Sequence, residues 1–180
     1  NEQKILNQTN IKLEGLVSIE RLFKHFKQDP VESLYGKFNY IADLSLPSQQ
    51  GEHPNLIIKS DMLGVQRDMP FPLKKIKTDA EPMEINLLLK PNQSYLNGSL
   101  SLASGDELVS ELLFVDQEFS FGEVLINDTS VLNTNISGLN IAANLSSIKL
   151  EPWLDFIEDI QNSSEKTASN DDAVEGGILK

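Results

Sequence analysis

The sequence predicts a mainly β protein, an antiparallel curved sheet (open groove or half-closed sandwich) with two short helices. Three observations carry this prediction. Apolar and polar residues alternate along most of the chain, the period of a strand with one wet face. Turn residues separate the alternating runs at the roughly 8–12-residue spacing of hairpin-linked strands, not of β-α-β units. Two segments instead place apolar residues at helical spacing.

The first strand is expected around Ile11–Val17. A helix follows over 18–27, where Ile19, Leu22, Phe23 and Phe26 fall on one side and Ser18 is suited to cap the N-terminus. The clearest strand is Tyr35–Leu46, with Phe38, Tyr40, Ala42, Leu44 and Leu46 alternating against polar neighbours. Asn55–Leu63 is mixed, with Leu56, Ile58 and Met62 on one face. Met83, Ile85, Leu87 and Leu89 alternate again, then Leu96, Leu100 and Leu102, with Gly98 between them. Leu108, Leu112 and Phe114 follow, then Phe119 and Phe121, Val131, and a last row from Leu139 to Leu145. Pro91-Asn92-Gln93, Ser104-Gly105-Asp106 and Asp116-Gln117 supply turn chemistry. Ser137-Gly138 divides two strands or bulges one long strand. Trp153, Phe156, Ile157 and Ile160 mark a second helix over 152–160, with Pro152 in its first turn. Residues 1–161 thus read as one β module. Residues 162–180, rich in Ser, Asn, Asp and Gly, read as a polar linker or disordered tail.

Composition excludes several functions. The chain of 180 residues carries a formal charge of −12, the wrong sign for neutralising phosphates, so no nucleic-acid partner is expected. The basic group Arg67, Lys74, Lys75 and Lys77 reads as a solvated loop, with a phosphate or headgroup contact as the sharper alternative. Without cysteine there is no disulfide, thiolate catalysis or thiol-based metal site. No apolar run approaches the ~18 residues of a spanning helix. The chain opens at Asn1 with no basic-then-apolar leader, so it reads as an internal piece of something longer.

Catalytic chemistry leaves no trace. His25 and His53 lack metal-ligand spacing; His25 reads as a surface or partly packed residue and His53 as exposed. Asp43, Asp61 and Asp68 come without a calcium-loop pattern. There is no nucleophile elbow and no phosphate-binding glycine loop. The reading is a non-enzyme with no catalytic residue, cofactor or metal.

The most distinctive stretch is Ile57–Lys75. An apolar strand ends at Met62-Leu63-Gly64, and the loop Met69-Pro70-Phe71-Pro72-Leu73-Lys74 follows. Its two prolines disfavour helix, so the loop is expected to leave the sheet extended, with Met69, Phe71 and Leu73 closing a sheet end. This stretch resembles a pattern of YhdP-type, AsmA-like bacterial envelope proteins, in which a strand ending Ser-Asp-Leu-x-Gly precedes a Leu-Pro-x-Pro-Leu-x-Lys loop. Met69 replaces the first leucine. Leu34–Tyr40 leading to Leu46-Pro47, and Leu139–Ile148 leading to Pro152-Trp153-Leu154, are similar to other steps of that family, so the likeness covers about residues 11–160.

The resemblance implies a periplasmic section of a long, inner-membrane-anchored protein, continuous with neighbouring sections of the same protein. There a β-groove would carry phospholipid acyl chains between the inner and outer membranes. The candidate groove residues are Phe38, Tyr40, Leu44, Leu87, Leu89, Leu100, Leu102, Leu112, Phe114, Phe119 and Phe121. Period-two rows also line the closed core of any β-sandwich. Two other readings follow: an extracytoplasmic β-sandwich binding carbohydrate or protein, presenting Trp153 and Tyr95, and a hydrolase needing His25 or His53 beside a carboxylate.

Overall fold

A computed structural model describes residues 8–25, 31–49, 51–116, 118–128 and 138–159. The strands are β1 (Gln8–Ser18), β2 (Leu34–Pro47), β3 (Asn55–Ser60), β4 (Val65–Arg67), β5 (Met83–Leu89), β6 (Gln93–Ser101), β7 (Glu107–Val115), β8 (Glu118–Ile126) and β9 (Gly138–Ala143). Helix α1 spans Ile19–His25 and helix α2 covers 150–159. The strands form a single open nine-stranded sheet in the order β1-β2-β3-β5-β6-β7-β8-β9, with β4 paired to β2.

Spatial order follows chain order, antiparallel from β1 to β8, with short turns joining β2 to β3 and β5 through β8 and longer links carrying α1 and β4. The exception is β9, which pairs parallel to β8. Gly138 therefore opens a strand that arrives by a crossover, since parallel neighbours cannot be joined by a tight hairpin. Ser18 caps α1 as expected, its Oγ accepting the Arg21 N–H at 3.3 Å. Glu20 in the first turn and Lys24 and His25 in the last complement the helix dipole. The 162–180 tail and Val131 lie outside the described residues.

Opposed residues of a ladder share a face, so the register assigns each side chain to one side of the sheet. One row runs Leu13, Ala42, Ile58, Ile85, Gly98, Ser110, Val124 and Ile141. The next runs Ile11, Leu44, Leu56, Leu87, Leu96, Leu112, Gly122 and Leu139. No Asp, Glu, Lys, Arg or His falls on this face in the eight strands of the main path. The charged strand residues, such as Lys12, Glu14, Asp43, Lys59, Glu84 and Glu111, lie on the other face, mixed with Leu113, Phe121 and Leu125.

One end of the apolar face is sealed. There α1 lays Leu22 and Phe23 beside Val17, Tyr40, Met83 and Leu100, around a buried centre of Ile19, Phe38, Met62 and Val65. Among the named strands and α1, the remaining substantial packing runs between hydrogen-bonded neighbours. At the opposite end lie the described connecting residues 48–49, 51–54, 90–92 and Asp116. A sandwich would need a second sheet, and the described strands make one.

The start of β2 pairs antiparallel with β4 at the sealed end, with Gly36 opposite Val65. Gly36 has φ +121°, and a Cβ there would collide with the carbonyl oxygen of Gly64. Gly105 also has positive φ, +89°, yet a Cβ there meets open space. Gly36→Ala should therefore cost more than the ~1–2 kcal/mol that left-handed backbone alone imposes on alanine. Gly105→Ala should stay within that range. Urea unfolding of the two variants checks this, and equal losses would remove the steric argument.

Candidate functional site

The half of the apolar face away from α1 has no covering layer among the described residues. Leu13 is 51% exposed, Phe119 45% and Ile141 68%, whereas Phe38 at the sealed end is 6% exposed. Small residues let large neighbours lie flat along this surface. The Tyr40 ring covers Gly15, and Leu112 with the Phe119 ring covers Gly122. Phe114 and Phe119 meet edge to face with centroids 6.0 Å apart. The result is a broad surface with no charged side chain from the described strands of the main path.

The opposite face mixes charged pairs with apolar ones such as Leu113–Phe121 and Val109–Leu125. Lys59 and Glu84 stand opposite each other and join at 2.8 Å. The hydrogen bond to Glu84 raises the Lys59 pKa, helped by the charges of Glu84 and Asp43 and opposed by partial desolvation.

The sealed end is pinned by the Pro-x-Pro loop. It does not leave the sheet extended. Arg67 and Lys75 exchange backbone hydrogen bonds at 3.0 Å each way, so the loop folds back between them, and the Phe71–Pro72 peptide is cis. The basic group also departs from expectation. Arg67 and Lys75 are buried, not solvated, whereas Lys74 is exposed and Lys77 lies 5.0 Å from the Tyr35 ring centroid. Arg67 Nη2 donates to both oxygens of fully buried Glu81 at 2.7 and 2.6 Å, and its Nε donates to the Leu73 carbonyl at 2.7 Å. Glu81 also accepts the Ala103 N–H at 2.7 Å, tying the loop to the end of β6. Lys75 Nζ donates to the carbonyls of Val65, Ile76 and Asp79. Burial pushes the Lys75 ammonium below its ordinary pKa, with the Glu81 charge opposing that shift. Every strong group in this knot has a partner, so it holds structure and presents no free acid or base.

Met69 and Leu73 are half-buried and Phe71 is 53% exposed, so the predicted closure by these three gives way to buried Pro72 and the ionic knot. Phe71 instead offers its carbonyl to Trp153 Nε1–H at 3.0 Å, which docks α2 on the loop. Strand end, Pro-x-Pro loop and Trp helix are thus one structural unit. The family model described as YhdP protein matches residues 3–177. The chain belongs to the YhdP family. No curated protein matches it, and no solved structure does.

Across this YhdP-family sheet the candidate groove residues separate into zones. Leu44, Leu87, Leu89, Leu112, Phe114 and Phe119 share the uncovered apolar half. Tyr40 sits at its boundary, over Gly15. Phe38 and Leu100 belong to the sealed end, and Leu102 is buried just beyond β6. Phe121 is a correction. A register shift between Leu113 and Phe114 sets Phe119 opposite Phe114 but Phe121 opposite Leu113, which points the other way. Ile11, Leu13, Leu56, Leu96, Leu139 and Ile141 join the face; their period-two spacing was the available signal. His53 is half-buried, not exposed. Among the described residues no group of three or more His, Cys, Asp or Glu could hold a metal, and no helix is long and apolar enough to cross a membrane.

Proposed function

We propose that this chain is a non-catalytic, periplasmic section of an AsmA-like envelope protein whose apolar sheet face holds phospholipid acyl chains in transit between the inner and outer membranes. In this reading the whole protein is anchored in the inner membrane, and neighbouring sections extend the same surface. The observation that carries it is the uncharged face shared by eight strands, over whose outer half the described residues place no second layer. An acyl chain gains ~0.8 kcal/mol per CH₂ taken out of water. That attraction is non-directional, so a chain can be held and still slide. YhdP-family membership fits an envelope protein, which supports the setting.

The test is lipid recovery. The chain, expressed in bacteria and purified without detergent, should yield phospholipid on organic extraction and mass spectrometry, in amounts comparable to the protein. Protein that stays folded and monodisperse yet yields none would overturn the reading.

A further inference from the structure

Strand β9 ends at the sealed end of the sheet, and from there the chain runs to an anchor several strands away. Ala143 stands level with Ile126, Leu108, Leu100 and Met83 in the ladders, and the Asn144 N–H donates to the Ile126 carbonyl at 2.8 Å. Residues 144–149 form neither helix nor strand, and α2 then docks through Trp153 on the Pro-x-Pro loop, which links β4 to β5. From β9 to β5 is four strand spacings, about 19 Å, and six extended residues reach at most about 20 Å. The segment therefore crosses the strand ends with little slack. Glu81 accepts the Ala103 N–H and so ties the far end of the loop to the end of β6. Strands β6 to β9, residues 144–149, α2 and the loop thus close a ring.

The join between α2 and the loop is the lightly built part of that ring. Trp153 and Phe156 are the half-buried residues of α2, whereas Leu150, Leu154 and Ile157 are 62, 64 and 48% exposed. A cleft of about 490 Å³, lined by Pro70, Lys74, Asp155 and Phe156 among others, separates helix from loop. The Trp153–Phe71 hydrogen bond that spans the two is itself exposed. Segments that bury so little apolar surface open locally at low free energy. We infer that residues 144–159 are a strap with Trp153 as its clasp. Closed, it holds the β8–β9 edge in place relative to the middle of the sheet; undone, it frees that edge to swing. The width of the apolar face is then governed by a contact outside that face. The inference concerns shape alone and stands apart from the acyl-chain reading.

The chain has no cysteine, so introduced pairs can carry nitroxide labels. Lys12, Asn97 and Asn140 fall in one row of the charge-bearing face, on β1, β6 and β9. Pulsed electron double resonance, without lipid or detergent, reads the β9 edge in Lys12→Cys/Asn140→Cys and the sheet up to the start of the ring in Lys12→Cys/Asn97→Cys. Adding Trp153→Ala should at least double the width of the first distance distribution and leave the second unchanged. Should the alanine variant lose its β signal in circular dichroism, Trp153→Phe, which keeps a ring and removes the N–H donor, is read instead, with a smaller widening expected. An unchanged 12–140 distribution in the folded variant would overturn the strap. Equal broadening of both pairs would overturn it as well, since the whole sheet would then have loosened.

Discussion

Replacing Glu81 with alanine is expected to remove about 3–5 kcal/mol of folding stability, the usual cost of stripping one partner from a buried ion pair. The loss has three identifiable parts. The Arg67 guanidinium, 7% exposed with its residue, would be left without a counter-charge. The Ala103 N–H would lose its acceptor. Lys75 would lose the carboxylate that opposes the effect of its burial. A domain stable by ~5–15 kcal/mol has little margin for such a loss. The double variant Arg67→Met/Glu81→Leu should recover part of it, because the charge and its desolvation leave together. It would not recover everything, since the Leu73 carbonyl and the Ala103 N–H stay orphaned at about 1–3 kcal/mol each. Urea unfolding of both variants reads the result. A loss below about 1 kcal/mol in Glu81→Ala would mean that the knot does not hold the loop.

The same cluster sets a pH dependence. Burial lowers the Lys75 pKa below the ordinary 10.5, so the folded state binds this proton less tightly than the unfolded chain does. Protonated Lys75 therefore costs stability at neutral pH, and that cost is relieved as pH rises from the folded value toward the unfolded one. Without Glu81 the folded value falls further. The stability deficit of Glu81→Ala should accordingly narrow on the alkaline side.

Much of the sheet was legible because alternation is a local property. From Phe38 to Leu46, and from Met83 to Leu89, each residue's side of the sheet follows from its neighbour's. The cap at Ser18 was legible for the same reason, since it lies three residues from the N–H it accepts. Features that depend on distant partners were not. One extra residue between Phe119 and Phe121 moves the second ring to the other face, and only pairing with β7 reveals it. Arg67, Lys75 and Glu81 look like an ordinary solvated loop until the chain turns back on itself and excludes water. The division of the apolar face into sealed and open halves was illegible too. Phe38 and Leu44 sit on one strand at the same parity, and what separates them is α1 lying over the first alone.

That division makes the second large effect a question of face. Leu87→Glu puts a carboxylate in the middle of the uncovered apolar face, opposite Leu56 and Leu96. An ionised carboxylate beside acyl chains gives up hydration with no partner in reach, a penalty of several kcal/mol, while each displaced CH₂ forfeits ~0.8 kcal/mol. Recovered phospholipid should fall at least tenfold, the equivalent of about 1.4 kcal/mol, well inside that penalty. Leu88→Glu is one residue away and points to the charge-bearing face, opposite Asn55 and Tyr95. It should leave the lipid yield nearly unchanged. Both variants should stay folded by circular dichroism, because both side chains are only half-buried. Acidification supplies a second discriminator. Apolar surroundings raise the pKa of a carboxyl group, so lowering the pH neutralises it and should return lipid to Leu87→Glu. Equal losses in the two variants would mean that the strand, and not the apolar face, governs lipid retention.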